Sequence, residues 1–226
     1  MDDIEELVKK MGDPDPKVKR DAAWYLGTAA HYGADITIAI SALTDALSDK
    51  NSTVRWNAAG ALYLAARYGA DITAAIPALT EAVSDADVGV RTSAATALYH
   101  AARHGTDVTV AISALTDALS DKDANVRWNA AGALKNAVEN CASVERLNVI
   151  EVKLREGYGA LRSKYLHWRE DELARAGSEL SYMLNEAAKK KNGLARGSRD
   201  GLLLDDKPKP PKKGGVYQEM RRVRNG

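Results

Sequence analysis

The sequence predicts an all-α fold: an α-solenoid of about four stacked helical hairpins, capped by two long C-terminal helices and followed by a basic tail. Three observations carry this. Residue types recur at a strict step of 36, and apolar residues within each block fall at helical spacing. Alanine supplies much of the 45% hydrophobic content of a 226-residue chain that has no phenylalanine. Alanine-rich helices approach closely without a large aromatic core, which suits thin stacked layers.

The step is read from Asp13, Asp49, Asp85 and Asp121, and again from Leu26, Leu62, Leu98 and Leu134. Val18, Val54, Val90 and Val126 keep it too, each followed by a base: Lys19, Arg55, Arg91 and Arg127. The stretch VRWNAAGAL stands at 54–62 and returns at 126–134. A fixed period of this length marks a repeat protein, in which one hairpin cannot bury its own apolar face and neighbours must stack.

Each unit reads as a first helix followed by a second. Val54, Ala58, Ala61, Leu62 and Ala65 lie on one helical face, and Gly69 supplies a stop. Asp71 or Thr73 caps the next helix, whose apolar face is Ile76, Leu79 and Val83. Pro77 is tolerated only in a first turn, so that helix starts near Thr73. The repeat region spans 1–140, a helical hairpin cap 141–191, and a Pro/Gly/Lys-rich tail 192–226.

The Asp turn, the "VR" pair, the Ala-rich helix and the "AIxALTxAL" helix together resemble HEAT repeats over about residues 13–140. The resemblance implies a ladder of hydrogen bonds between repeats, made by Asp49 with Arg55, Asp85 with Arg91 and Asp121 with Arg127. Asp13 with Lys19 departs from it, because lysine lacks the planar fork. Recurrence in every unit makes these residues structural rather than a reaction centre. The resemblance also implies that second helices line a concave surface, which here carries Thr37, Ser41, Thr44 and Asp45 and their counterparts at 73–81 and 109–117. Such a hydroxyl-rich, acidic face disfavours a phosphate backbone and suits a basic protein segment.

The outward stripe of the first helices is aromatic and basic. It holds Trp24, Trp56, Tyr63, Arg67, Tyr99, Arg103 and Trp128, three of the four tryptophans in the chain. Trp, Tyr and Arg dominate binding hot spots, so these are the candidate partner contacts, weighed against a role in covering grooves between helices. His100 and His104 stand four apart, a spacing that can chelate zinc, but no further ligand completes the set. No Ser/His/Asp or Cys/His grouping, phosphate-binding loop or carboxylate pair appears, so no catalytic residue, metal or cofactor is expected.

Beyond Cys141 the step of 36 stops, while Leu147, Ile150, Leu154, Tyr158, Leu161, Tyr165 and Trp168 continue a helical seam. Residues 1–140 hold 13 basic against 19 acidic side chains, whereas 189–226 hold 12 against 4. The basic candidates of the tail are Lys207, Lys209, Lys212, Lys213, Arg221, Arg222 and Arg224. One cysteine, an acidic N-terminal stretch and no long apolar run fit a cytoplasmic protein without a membrane span. The expected function is a non-catalytic protein-interaction scaffold or adaptor. The alternative is an RNA- or ribosome-associated factor anchored by its tail.

Overall fold

A computed structural model describes residues 3–164 and 170–197. Every regular element among the described residues is helical. α1 (Ile4–Lys10), α3 (Ile40–Ala46), α5 (Ile76–Ala82) and α7 (Ile112–Ala118) are short. They alternate with the long α2 (Pro16–His31), α4 (Ser52–Arg67), α6 (Val88–Arg103) and α8 (Ala124–Glu139). α9 (Val144–Lys164) and α10 (Glu170–Gly197) follow. Residues Met1–Ala195 form one compact unit, and the tail candidates Lys207 to Arg224 lie outside the described residues.

Local chemistry sets the boundaries identically in each repeat. The side chains of Asp15, Asn51, Asp87 and Asp123 accept from main-chain amides two residues on and start the long helices. Gly33, Gly69 and Gly105 end the first three with φ of +84°, +87° and +85°, a conformation that L side chains resist. Asp35, Asp71 and Asp107 then bond both the amide and the hydroxyl of Thr37, Thr73 and Thr109. A single 3-10 turn there precedes α3, α5 and α7, and Pro77 sits in the first turn of α5.

The pairing differs from the unit order read in the sequence. Each short helix packs on the long helix that follows it, so the hairpins are α1/α2, α3/α4, α5/α6 and α7/α8. Hence α1 is a repeat element. Ile4, Leu7, Met11 and Asp13 stand 36 residues before Ile40, Leu43, Leu47 and Asp49, and Leu7 and Met11 are buried. At the other end α9 packs against α7, burying Leu147, Ile150 and Leu154. Arg146 reaches back to Asp107 at 3.1 Å, and the Asn140 amide donates to the carbonyls of Ala102 and Arg103. The side chains of Tyr158, Leu161, Tyr165 and Trp168 lie outside the described set.

The interhelical ladder is offset from the pairs drawn from the resemblance. Arg55 donates from Nε and Nη2 to Asp85 of the next repeat, at 2.7 and 2.9 Å, and Arg91 does the same to Asp121 at 2.8 and 3.1 Å. Within the preceding turn each arginine meets main-chain carbonyls: Nη1 of Arg55 bonds Asp49 O and Lys50 O, and Nη1 of Arg91 bonds Asp85 O and Ala86 O. Lys19 makes a single bond to Asp49 and so occupies the first rung. Arg127 bonds the carbonyls of Asp121 and Lys122. No carboxylate meets its fork among the described residues.

The two layers are unequally spaced. Successive long helices meet backbone to backbone along their alanines, whereas successive short helices barely touch. Added at Gly27, a Cβ would stand 3.1 Å from the Cα of Ala61. The short-helix threonines, expected to furnish a hydroxyl-rich face, turn their hydroxyls onto their own helices. Thr44, Thr80 and Thr116 bond the carbonyls of Ile40, Ile76 and Ile112, and Thr116 is fully buried.

Two glycine substitutions should separate packing from propensity. A Cβ at Gly132 would stand 2.7 Å from Cδ2 of Tyr99, while one at Gly60 meets nothing within 4 Å. Gly132→Ala should destabilise by about 1–2 kcal/mol through displacement of the ring. Gly60→Ala should stabilise by about 0.5–1 kcal/mol, both read by denaturant melts. Arg91→Ala, which leaves Asp121 without its fork, should cost about 1.5–3 kcal/mol in the same assay.

Candidate functional site

The candidate side chains sit on the long-helix layer, and most rest across the boundary with the next repeat. Trp56 of α4 lies over the main chain of α6, where a Cβ at Gly89 would meet the indole at 3.0 Å. Tyr99 of α6 lies over Gly132 of α8 and stands 5.8 Å from the ring of Trp128. Tyr63 stacks against His100 of the next helix at 5.4 Å, and His100 meets Tyr99 at 4.9 Å. Display and groove-covering are thus combined in the same rings. Tyr63 and Tyr99 are half-buried, while Trp56 and Trp128 remain 51% and 67% exposed.

Two arginines complete this surface, one repeat apart. Arg67 donates to the Tyr63 hydroxyl at 2.7 Å and lies over the Tyr68 ring, 5.8 Å from its centroid. Arg103 is exposed, and no carboxylate pairs with it or with Arg67 among the described residues. Trp24 does not join this row. It is equivalent to Gly60 and Gly132 rather than to Trp56, and it stands one helical turn beyond Arg20, the equivalent of Trp56, on the same face of α2.

Of the histidines, His31 bonds the Tyr68 hydroxyl at 2.8 Å and ties α2 to α4. His100 is wedged between two tyrosines. Burial, with Arg67, Arg103 and His104 nearby, pushes its pKa down to about 4. No group of three or more His, Cys, Asp or Glu residues that could hold a metal ion occurs among the described residues. His167 lies outside them. No described helix is long and apolar enough to cross a membrane.

Residues 4–99 match the family model of HEAT repeats. The match runs from Ile4, the first residue of α1, into α6 and covers less than half of the chain. Among solved structures, this chain is similar to an engineered protein at 22% identity and a TM-score of 0.63, covering 99% of this chain and 95% of that one. A designed armadillo repeat protein in complex with the peptide (KR)4 aligns at 20% identity and a TM-score of 0.61, covering 80% and 81%. The Kap95:Nup1 complex aligns at 16% identity and a TM-score of 0.61, over 88% of this chain and 27% of that one. No curated protein matches the sequence. At these identities the likeness is one of fold.

The wedged histidine of the stack makes a pH-dependent contribution of known sign. Unfolded His100 takes up its proton near the ordinary value of about 6.5, but folded His100 does so only near about 4. Between those values the unfolded state binds the extra proton, so stability falls as pH drops from about 6.5 to about 4. NMR titration should place the His100 midpoint near about 4, and His100→Gln should flatten that part of the stability curve.

Proposed function

We propose that this chain is a non-catalytic scaffold that docks a protein segment along its long-helix surface. The observation that carries the reading is the pair of exposed indoles, Trp56 and Trp128. They share the long-helix layer with half-buried tyrosines and with two arginines that no carboxylate meets among the described residues. Rings already held on glycine lose little freedom when a partner covers them, which is what makes aromatic anchors effective. Two structures of this fold were solved with an occupant, a (KR)4 peptide in one and Nup1 with Kap95 in the other. These support a segment laid across repeats.

The excess of 12 basic over 4 acidic residues in 189–226 favours a second reading, in which the tail anchors the chain on RNA. Affinity purification from native extract tests both. Trp56→Ala with Trp128→Ala should reduce recovery of a stoichiometric protein partner by about tenfold or more, with the helical signal unchanged. Loss on removing 192–226, with steep salt dependence and ribonuclease sensitivity, would favour RNA instead.

A further inference from the structure

The outer edge of α2 is built unlike the same face of the other long helices. Positions 24, 25 and 32 are equivalent to 60, 61 and 68, then 96, 97 and 104, then 132, 133 and 140. In the inner repeats this face meets the preceding long helix. Ala61 lies against Gly27, Gly132 lies under Tyr99, and Tyr68 bonds His31. Small residues predominate there, and Ala61, Ala97 and Ala133 are buried. On α2 the same face carries Trp24, Tyr25 and Tyr32. Trp24 and Tyr25 pack edge to face at 4.8 Å, and Trp24 and Tyr32 are 55% and 75% exposed. Three rings together form an exposed apolar surface among the described residues.

The ladder has an unfilled rung at the same edge. Asp49, Asp85 and Asp121 each receive a cation from the preceding long helix. Asp13, their equivalent, accepts only the amide of Asp15, and no cation reaches it among the described residues. Asp3, Glu5 and Glu6 are exposed at this end as well. Lys19 is committed to Asp49 and Arg20 to Asp21. Two copies joined edge to edge would bring these carboxylates together, which disfavours self-pairing. A copy stacked end on end would need the room beyond α7 that α9 occupies.

We infer that the outer edge of α2 binds a basic amphipathic helix of a partner protein, which lies where a preceding long helix would lie. Small residues on that helix seat against Trp24, Tyr25 and Tyr32, and an arginine or lysine supplies the missing rung to Asp13. This binding uses neither Trp56 nor Trp128.

The test uses the full chain and a fluorescent, alanine-rich helical peptide bearing arginines at every fourth position, with a glutamate version as control. Anisotropy should report saturable binding of the arginine peptide alone. Tyr25→Ala with Tyr32→Ser should weaken it by about tenfold or more. Asp13→Asn, which keeps the acceptor for the Asp15 amide, should weaken it by a smaller factor. Trp56→Ala and Trp128→Ala should leave it unchanged, so failure here is distinct from failure of the docking surface. Equal binding of the glutamate peptide, indifference to the edge variants, or a chain dimer abolished by those variants would overturn the inference. Thermal melts of each variant exclude unfolding as the cause.

Discussion

The later repeats are joined by one arginine used twice, with Lys19 in its place at the first joint. The fork of Arg55 grips the carboxylate of Asp85, while its remaining nitrogen holds the carbonyl of Asp49 in its own turn. Arg91 repeats the arrangement one step on. These ion pairs are largely shielded, with side chains 12–17% exposed for Arg55 and Asp85. Their geometry is bidentate, and Asp85 also accepts the amide of Asp87. Hydrogen bonding from Arg55 accordingly holds the Asp85 carboxyl below the usual carboxylate range. One carboxylate thus fixes a turn and a neighbour together, and the alanine faces are brought into register by the same contact.

With the register set, close approach follows from the absence of side chains. Gly27, Gly89 and Gly132 leave room either for main chain or for a flat ring from the adjacent helix. The rings on the long-helix layer are therefore part of the packing and part of the displayed surface. A partner would meet the Trp56 indole with one side already against main chain, so binding would remove only its outer side from water.

Much of this was legible in the residues. The step of 36 fixed the repeats, Gly69 and Asp71 marked one boundary, and Pro77 placed the start of a helix. The apolar faces at Val54 to Ala65 and at Ile76 to Val83 are buried as their spacing implies. What escaped was relational. Ile4, Leu7 and Met11 carry the same step, but a half-repeat shows no "VR" word to announce it. The partner of each arginine could not be read from adjacency, because the bond spans thirty residues rather than six. The threonine hydroxyls looked like surface in the pattern, yet they satisfy their own helices. The histidine spacing at 100 and 104 said nothing of the tyrosines that enclose one of the two.

The arginine rung has one more consequence, for how such a chain can change length. A block from Asn51 to Ala86 contains a cap, a donor arginine at its start and an acceptor aspartate at its end. Duplicating or deleting that block would leave every junction chemically the same, since each grip is spelled within a single period. The array can thus grow or shrink by whole units while the strength of each joint stays constant. Only the span of surface offered to a visitor would alter.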